Sequence, residues 1–167
     1  GVGMALGYAM GKNIPYKRLE DLPIPAYIVA SDMELGRVKV FSEGELAPIV
    51  VASCSIPMLF TPMLIDGHHY LDGGGFMNLP IQPLRDCCEK IIALNLNHIN
   101  EEEYHSNLIY VAQRSFSMTV ISNTMASIPD ADLYIDLDTK DANVYDMGKI
   151  PELFEKGYES AVRALAE

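Results

Sequence analysis

The hydrophobic and polar positions of this chain follow two periods, and the switches between them mark its elements. Residues 1–14 read as the glycine-rich tail of a helix ending at Gly11-Lys12-Asn13, which leads us to expect a chain cut from something longer. After Pro23-Ile24-Pro25, the run Ala26-Tyr27-Ile28-Val29-Ala30 predicts a short buried strand. Arg37-Val38-Lys39-Val40-Phe41 alternates as a strand near a sheet edge does, and Ser31–Gly36 joins the two as a hairpin-like connection. Polar Ser42–Glu45 predicts a cap for a helix from Leu46 to about Ser55, which Pro57 stops. The apolar stretch from Ile49 to Ile65 is interrupted by Pro57 and Pro62 and reads as a buried helix end and loop, not a membrane span. Asp66–Leu71 then reads as a tight turn leading into a strand.

Pro80 and Pro83 bracket a loop, Gln82 to Glu89 predicts a short helix, and Lys90–Leu96 is a continuous apolar strand. Helical spacing from Glu101 to about Met125 sets Leu108, Val111, Ala112, Ser115, Met118 and Thr119 on one face. Leu133–Asp138 alternates as a last strand. A final helix runs from about Ile150 to Leu165, with Pro151 in its first turn and Leu153, Phe154, Tyr158, Ala161, Val162 and Leu165 along one face. An apolar strand with helices on either side predicts an α/β fold, a three-layer α/β/α arrangement with a mainly parallel sheet. At 167 residues the chain reads as a single domain able to bury a core.

Charge narrows the partners. With 12 basic and 23 acidic residues the net charge is −11, which argues against nucleic acid and against electrostatic attachment to anionic lipid. Three cysteines, Cys54, Cys87 and Cys88, make a poor disulfide framework, so a reducing, cytoplasmic compartment is favoured. No C-x-x-C or other zinc spacing occurs.

Asp72 is the leading candidate for chemistry. An acidic side chain at a strand end, followed by Gly73, Gly74 and Gly75, holds a charge beside open backbone that another group can approach. Its plainer reading is an Asx-type turn. Met58, Leu59, Phe60, Met63 and Met77 cluster around this segment in sequence. They read first as core, and second as an apolar slot for an acyl chain, which the flexible thioether suits. Ser53 and Ser55 lack an elbow glycine and read as packing and capping residues, and Cys54 as a small buried apolar residue. His68-His69 with Asp66 and Asp72 could suggest a metal, but adjacent histidines in a strand point to opposite faces. The acidic run Asp130, Asp132, Asp136, Asp138 and Asp141 lacks the glycine and terminal Glu of a calcium loop.

Taken in order, these segments resemble the C-terminal half of the catalytic domain of patatin-like phospholipases, the lipid acyl hydrolases. The resemblance runs from Leu19-Glu20-Asp21-Leu22-Pro23-Ile24-Pro25 through the Ala26–Ala30 strand and Ser31-Asp32 to Gly36-Arg37-Val38 and Val40-Phe41-Ser42-Glu43-Gly44. It continues through Ala52-Ser53, Ile56-Pro57, Phe60 and Pro62 to Asp72-Gly73-Gly74 with Asn78 and Pro80, and on to Ile91-Ile92-Ala93-Leu94 and Gly157-Tyr158.

The family uses a Ser-Asp dyad, and the resemblance implies that Asp72 is its acid, with Gly73 and Gly74 keeping side chains away from the bond under attack. It implies cleavage of fatty-acyl esters, a lipid or other acyl-ester substrate, and no cofactor. An Asp of unperturbed pKa about 3.9 is a weak base, so such a site must be desolvated or its proton transfer tightly coupled to attack. The nucleophile's G-x-S-x-G elbow occurs nowhere between Gly1 and Glu167, nor does the glycine-rich oxyanion loop. Residues 1–167 are therefore expected to be the C-terminal portion of one patatin-like catalytic domain, inactive alone. The alternative is a non-catalytic α/β domain that binds lipid or a protein partner.

Overall fold

The computed structural model describes residues 14–96, 98, 101–137, 139 and 147–166. All but the last residue of the helix tail expected over residues 1–14 lies outside these, as does Asp138 of the expected last strand. The fold has two compact units, one reaching Asn78 and taking in Ser106–Val120, the other Leu79–His105 with the chain from Ile121 onward.

In the first unit, β1 (Ile28–Asp32) and β2 (Arg37–Phe41) form the expected hairpin. After α1 (Leu46–Ser53), the strands β3 (Met63–Ile65) and β4 (His68–Asp72) form a second one. The hairpins join through β1 and β4 into a four-stranded sheet of order β2-β1-β4-β3, antiparallel throughout. A mainly parallel sheet was expected here; the two hairpin connections are too short for parallel neighbours, which need a crossover of a dozen or more residues, and β1 and β4, far apart in the chain, pair antiparallel as well. The β3–β4 turn is Asp66-Gly67, both at positive φ (49° and 84°), the backbone that a two-residue hairpin loop needs. β3 lies within the stretch that reads in sequence as helix end and loop.

Alternation places Ala30 on β1, Phe41 on β2 and Tyr70 on β4 on the face that α1 covers. With Leu19, Leu46, Ile49 and Ala52 they form the unit's buried core, in which Phe41 and Tyr70 meet edge to face at 5.2 Å. No side chain caps α1; its Glu45 N-cap is unbonded through the carboxylate, contrary to the polar cap expected at Ser42–Glu45.

In the second unit β5 (Ile92–Asn95) and β6 (Leu133–Asp136) pair in parallel, as the apolar run suggested. Leu79, Ile81, Ile91 and Ala93 are its buried core. Gln82–Leu84 is a single 3-10 turn where a helix to Glu89 was expected. The helix α3 (Leu108–Ser127), shared by both units, starts at Leu108 and not at Glu101, because the Asn107 carboxamide oxygen accepts from the Ile109 and Tyr110 N–H groups and caps it there. Between the two comes α2 (Gly74–Met77), a helical turn, and the last element is α4 (Ile150–Ala166). The α4 stripe of Phe154, Tyr158, Val162 and Leu165 is exposed.

Ile49 is almost wholly buried between α1 and the sheet. Ile49→Ala is expected to cost about 2–5 kcal/mol. Urea unfolding should show a lower midpoint with an unchanged slope; an unmoved midpoint would remove Ile49 from the core.

Candidate active site

Asp72 is the last residue of β4, paired with Ala30 across the sheet. Its backbone N–H donates to the Ser55 carbonyl at 2.9 Å, and its carbonyl accepts from the Ser31 hydroxyl at 2.7 Å. The strand end is thus tied both to β1 and to the segment after α1. Immediately beyond it the chain turns into α2.

Two glycines make that turn possible. A Cβ on Gly73 would sit 2.5 Å from the Val29 carbonyl oxygen and 2.9 Å from a Val29 methyl. Gly73 itself has φ −68°, which any residue adopts, so the requirement is closeness of backbone to backbone and not conformational freedom. A Cβ on Gly74 would lie 2.9 Å from the Asp72 carboxylate. Without one, the Gly74 N–H donates to Asp72 Oδ1 at 2.7 Å. Among the described residues this is the hydrogen bond to the Asp72 carboxylate, and it engages Oδ1. Phe116 and Val120 of α3 stand over this turn, against Gly75 and Gly74.

Burial pushes the Asp72 carboxyl above the usual carboxylate range, and the Gly74 N–H only partly opposes this. This is the desolvation that a carboxylate base needs. Cys54 lies close enough for the Asp72 charge to count: its thiol is raised by burial first and then by that carboxylate. Cys54 is nevertheless exposed, not the buried apolar residue expected. Ser55 is buried with its hydroxyl donating to the Val51 carbonyl at 2.7 Å, a capping role, and Ser53 ends α1 half-buried.

The apolar candidates are dispersed over several elements. Met63 lies in β3 and packs on the first core, and Met77 ends α2. Phe60 is half-buried, while Met58 is exposed at positive φ (68°), a strained backbone for a residue with a Cβ. A polar cleft of about 880 Å³ opens in the same unit between Arg18, Arg37, Lys39, Asp32, His68 and Tyr70, away from Asp72.

Adjacent His68 and His69 each take a carboxylate, His68 from Asp32 at the end of β1 and His69 from Glu34 in the turn after it. His68 Nδ1 is 2.8 Å from Asp32 Oδ2, and His69 Nδ1 is 2.6 Å from Glu34 Oε1. Donor atoms of Asp32, Glu34 and His68 lie within 4.8 Å of one another, the one such group among the described residues that could hold an ion. These groups already bond one another and the backbone. Burial opposes the Asp32 charge, but the Leu35 N–H and His68 hold its carboxyl below the usual range; His69 does the same for Glu34. The arrangement is a clamp from turn to strand. Only the pairing of the turn with β4 brings Asp32 and Glu34 there, and their spacing in sequence carries no sign of it.

Residues 14–85, which contain both hairpins, α1 and Asp72, match the family model for patatin-like phospholipase. An uncharacterized NTE family protein of Mycobacterium bovis is 36% identical over 80 residues, covering 47% of this chain and 22% of its own length. The mouse patatin-like phospholipase domain-containing protein 7 is 31% identical over 78 residues, 46% of this chain and 6% of its own. The human patatin-like phospholipase domain-containing protein 6 is 29% identical over 104 residues, 60% of this chain and 8% of its own. The chain thus spans less than a quarter of each of these relatives. Among the described residues no helix is long and apolar enough to cross a membrane.

Two outcomes check this geometry. Gly73→Ala must displace backbone and is expected to cost about 1–3 kcal/mol. Gly157→Ala, where a Cβ meets nothing within 4 Å on a helix, should instead gain about 0.5–1 kcal/mol; denaturation of both variants beside the parent would show opposite signs. Asp72→Asn tests the buried charge. The folded carboxyl titrates above its unfolded value of about 3.9, so the native state binds the extra proton and stability falls as pH rises through that window. The Asn variant should therefore have the higher Tm at pH 7, with the difference closing below about pH 4. Equal Tm values at neutral pH would mean that the carboxylate is not desolvated.

Proposed function

We propose that residues 1–167 are the C-terminal portion of a single patatin-like catalytic domain. The intact protein is then a serine acyl hydrolase acting on fatty-acyl esters of phospholipids or related lipids. Asp72 is the general base, and the nucleophilic serine lies in a G-x-S-x-G elbow outside this sequence. The observation that carries the reading is the Asp72 carboxylate, partly buried and raised in pKa, held through one oxygen by the Gly74 N–H inside the family-matched segment.

In this mechanism Oδ2 of Asp72 takes the serine proton as the hydroxyl attacks the acyl carbonyl. The proton is returned to the departing alcohol, leaving an acyl-serine. Water then attacks the acyl-serine, again giving its proton to Asp72, and the fatty acid is released as the serine is restored. A raised pKa makes Asp72 a stronger base than an exposed carboxylate, at the cost of needing a pH high enough to keep it ionised. Met58, Phe60, Met63 and Met77 line the acyl chain's path in this proposal, an apolar wall that leaves chain length loosely specified.

Asp72→Ala in the intact protein should lower kcat for a fatty-acyl ester by about 100-fold or more, the usual contribution of a general base. A fluorophosphonate probe should label the intact parent on serine and leave residues 1–167 alone unlabelled. Unchanged turnover in the Asp72 variant would remove its role. An intact protein that neither labels nor hydrolyses would point to a lipid- or protein-binding domain.

A further inference from the structure

Cys87 and Cys88 play no part in the proposed acyl transfer, and their arrangement is unusual. They are adjacent in sequence, both exposed, and both reduced, with their sulfur atoms 3.8 Å apart. The backbone beneath them is anchored. The N–H groups of Cys87 and Cys88 both donate to the Leu84 carbonyl, at 3.1 and 2.9 Å, and Leu84 packs against the core of the second unit. The pair is therefore presented on a closed turn and not on a loose loop.

Two chemistries are open to neighbouring thiols. A direct S–S bond is disfavoured, because Cα atoms across a trans peptide stand about 3.8 Å apart. Ordinary disulfides span about 4.4–6.8 Å, and a closer pair is strained and easily reduced. A bridging atom fits much better. Two thiolates bound at about 2.3 Å to a tetrahedral centre are roughly 3.8 Å apart, the separation already present, and a pyramidal centre draws them only slightly closer. Soft centres prefer thiolate to the carboxylates that dominate this acidic surface.

We propose that Cys87 and Cys88 form a bidentate dithiol site for a soft, thiophilic centre, of the class represented by trivalent arsenic and cadmium ions. With an arylarsine oxide, two As–S bonds form, both S–H bonds break, and the oxide oxygen leaves with the two protons as water. No electron is transferred. A divalent ion binds with release of the thiol protons to solvent. Cys54 has no neighbouring cysteine in the sequence, so it is expected to bind such a centre only through a single bond that a competing thiol replaces.

The test uses the full 167-residue chain, reduced, desalted and treated with stoichiometric phenylarsine oxide. Intact mass is then followed during titration with glutathione. The parent and Cys54→Ser should each retain one arsenical against excess glutathione and release it to 2,3-dimercaptopropanol. Cys87→Ser and Cys88→Ser should lose it at about 100-fold less glutathione or lower still, as expected when a tethered second ligand is removed. Cadmium provides an independent reading, since its thiolate charge-transfer absorption should be strong in the parent and weak in either single variant. The proposal is overturned if glutathione strips the parent as readily as the single variants, or if Cys54→Ser is the change that abolishes retention.

Discussion

A single close approach organises the candidate site. Gly73 passes so near the Val29 carbonyl that no Cβ fits between them, and this contact sets where β4 ends and α2 begins. Asp72 precedes it by one residue, so its carboxylate is carried to the end of the sheet and then kept there by the Gly74 N–H. Loosening the turn would expose the carboxylate to water and let it fall back toward an ordinary acid. Proximity of backbone to backbone in this way sets the state of the side chain: closeness gives burial, and burial raises the pKa.

The rest of the first unit serves that position. Ser31 and Ser55 hold the strand end from two sides, one through a hydroxyl and one through a backbone carbonyl. At the opposite end of β4, the His68–Asp32 and His69–Glu34 pairs clamp the strand to the β1–β2 turn. Between these ends Tyr70 is locked against Phe41 beneath α1. β4 is therefore fastened at its start, middle and finish, so the Asp72 carboxylate at its end is held in one place. The second unit has a separate core and a parallel strand pair whose outer residues Ile92 and Leu94 remain more than half exposed.

Much of this was legible along the chain, because it depends on local periodicity and turn chemistry. The alternation of Arg37–Phe41, the apolar Ala26–Ala30 and the four-residue connection between them suffice for the first hairpin. Asp-Gly-Gly by itself marks only a turn, and the Gly74 N–H bond to Asp72 Oδ1 is the Asx-type turn that residue type suggests; the order of the segments around it is what singles Asp72 out. β3 escaped notice although Asp66-Gly67 is a strong hairpin signal, because the surrounding prolines and unbroken apolar run masked a strand only three residues long. The start of α3 was misplaced by seven residues, 101 against 108, since Glu101–Glu103 are good helix formers and the Asn107 cap that excludes them is a single side-chain contact.

Local patterning was enough for the β1–β2 hairpin, α1, β4, the apolar strand β5 and α4, and for Asp72 as the leading candidate for chemistry. Each of these follows from interactions among residues close in the chain. Tertiary structure decided the antiparallel order β2-β1-β4-β3, the exposure of Cys54, the two histidine–carboxylate pairs and the burial of the Asp72 carboxylate. These depend on which strand lies beside which, and strand pairing is settled by the summed burial of side chains distant in sequence. The same residues in another register would leave Asp72 an ordinary acid in water.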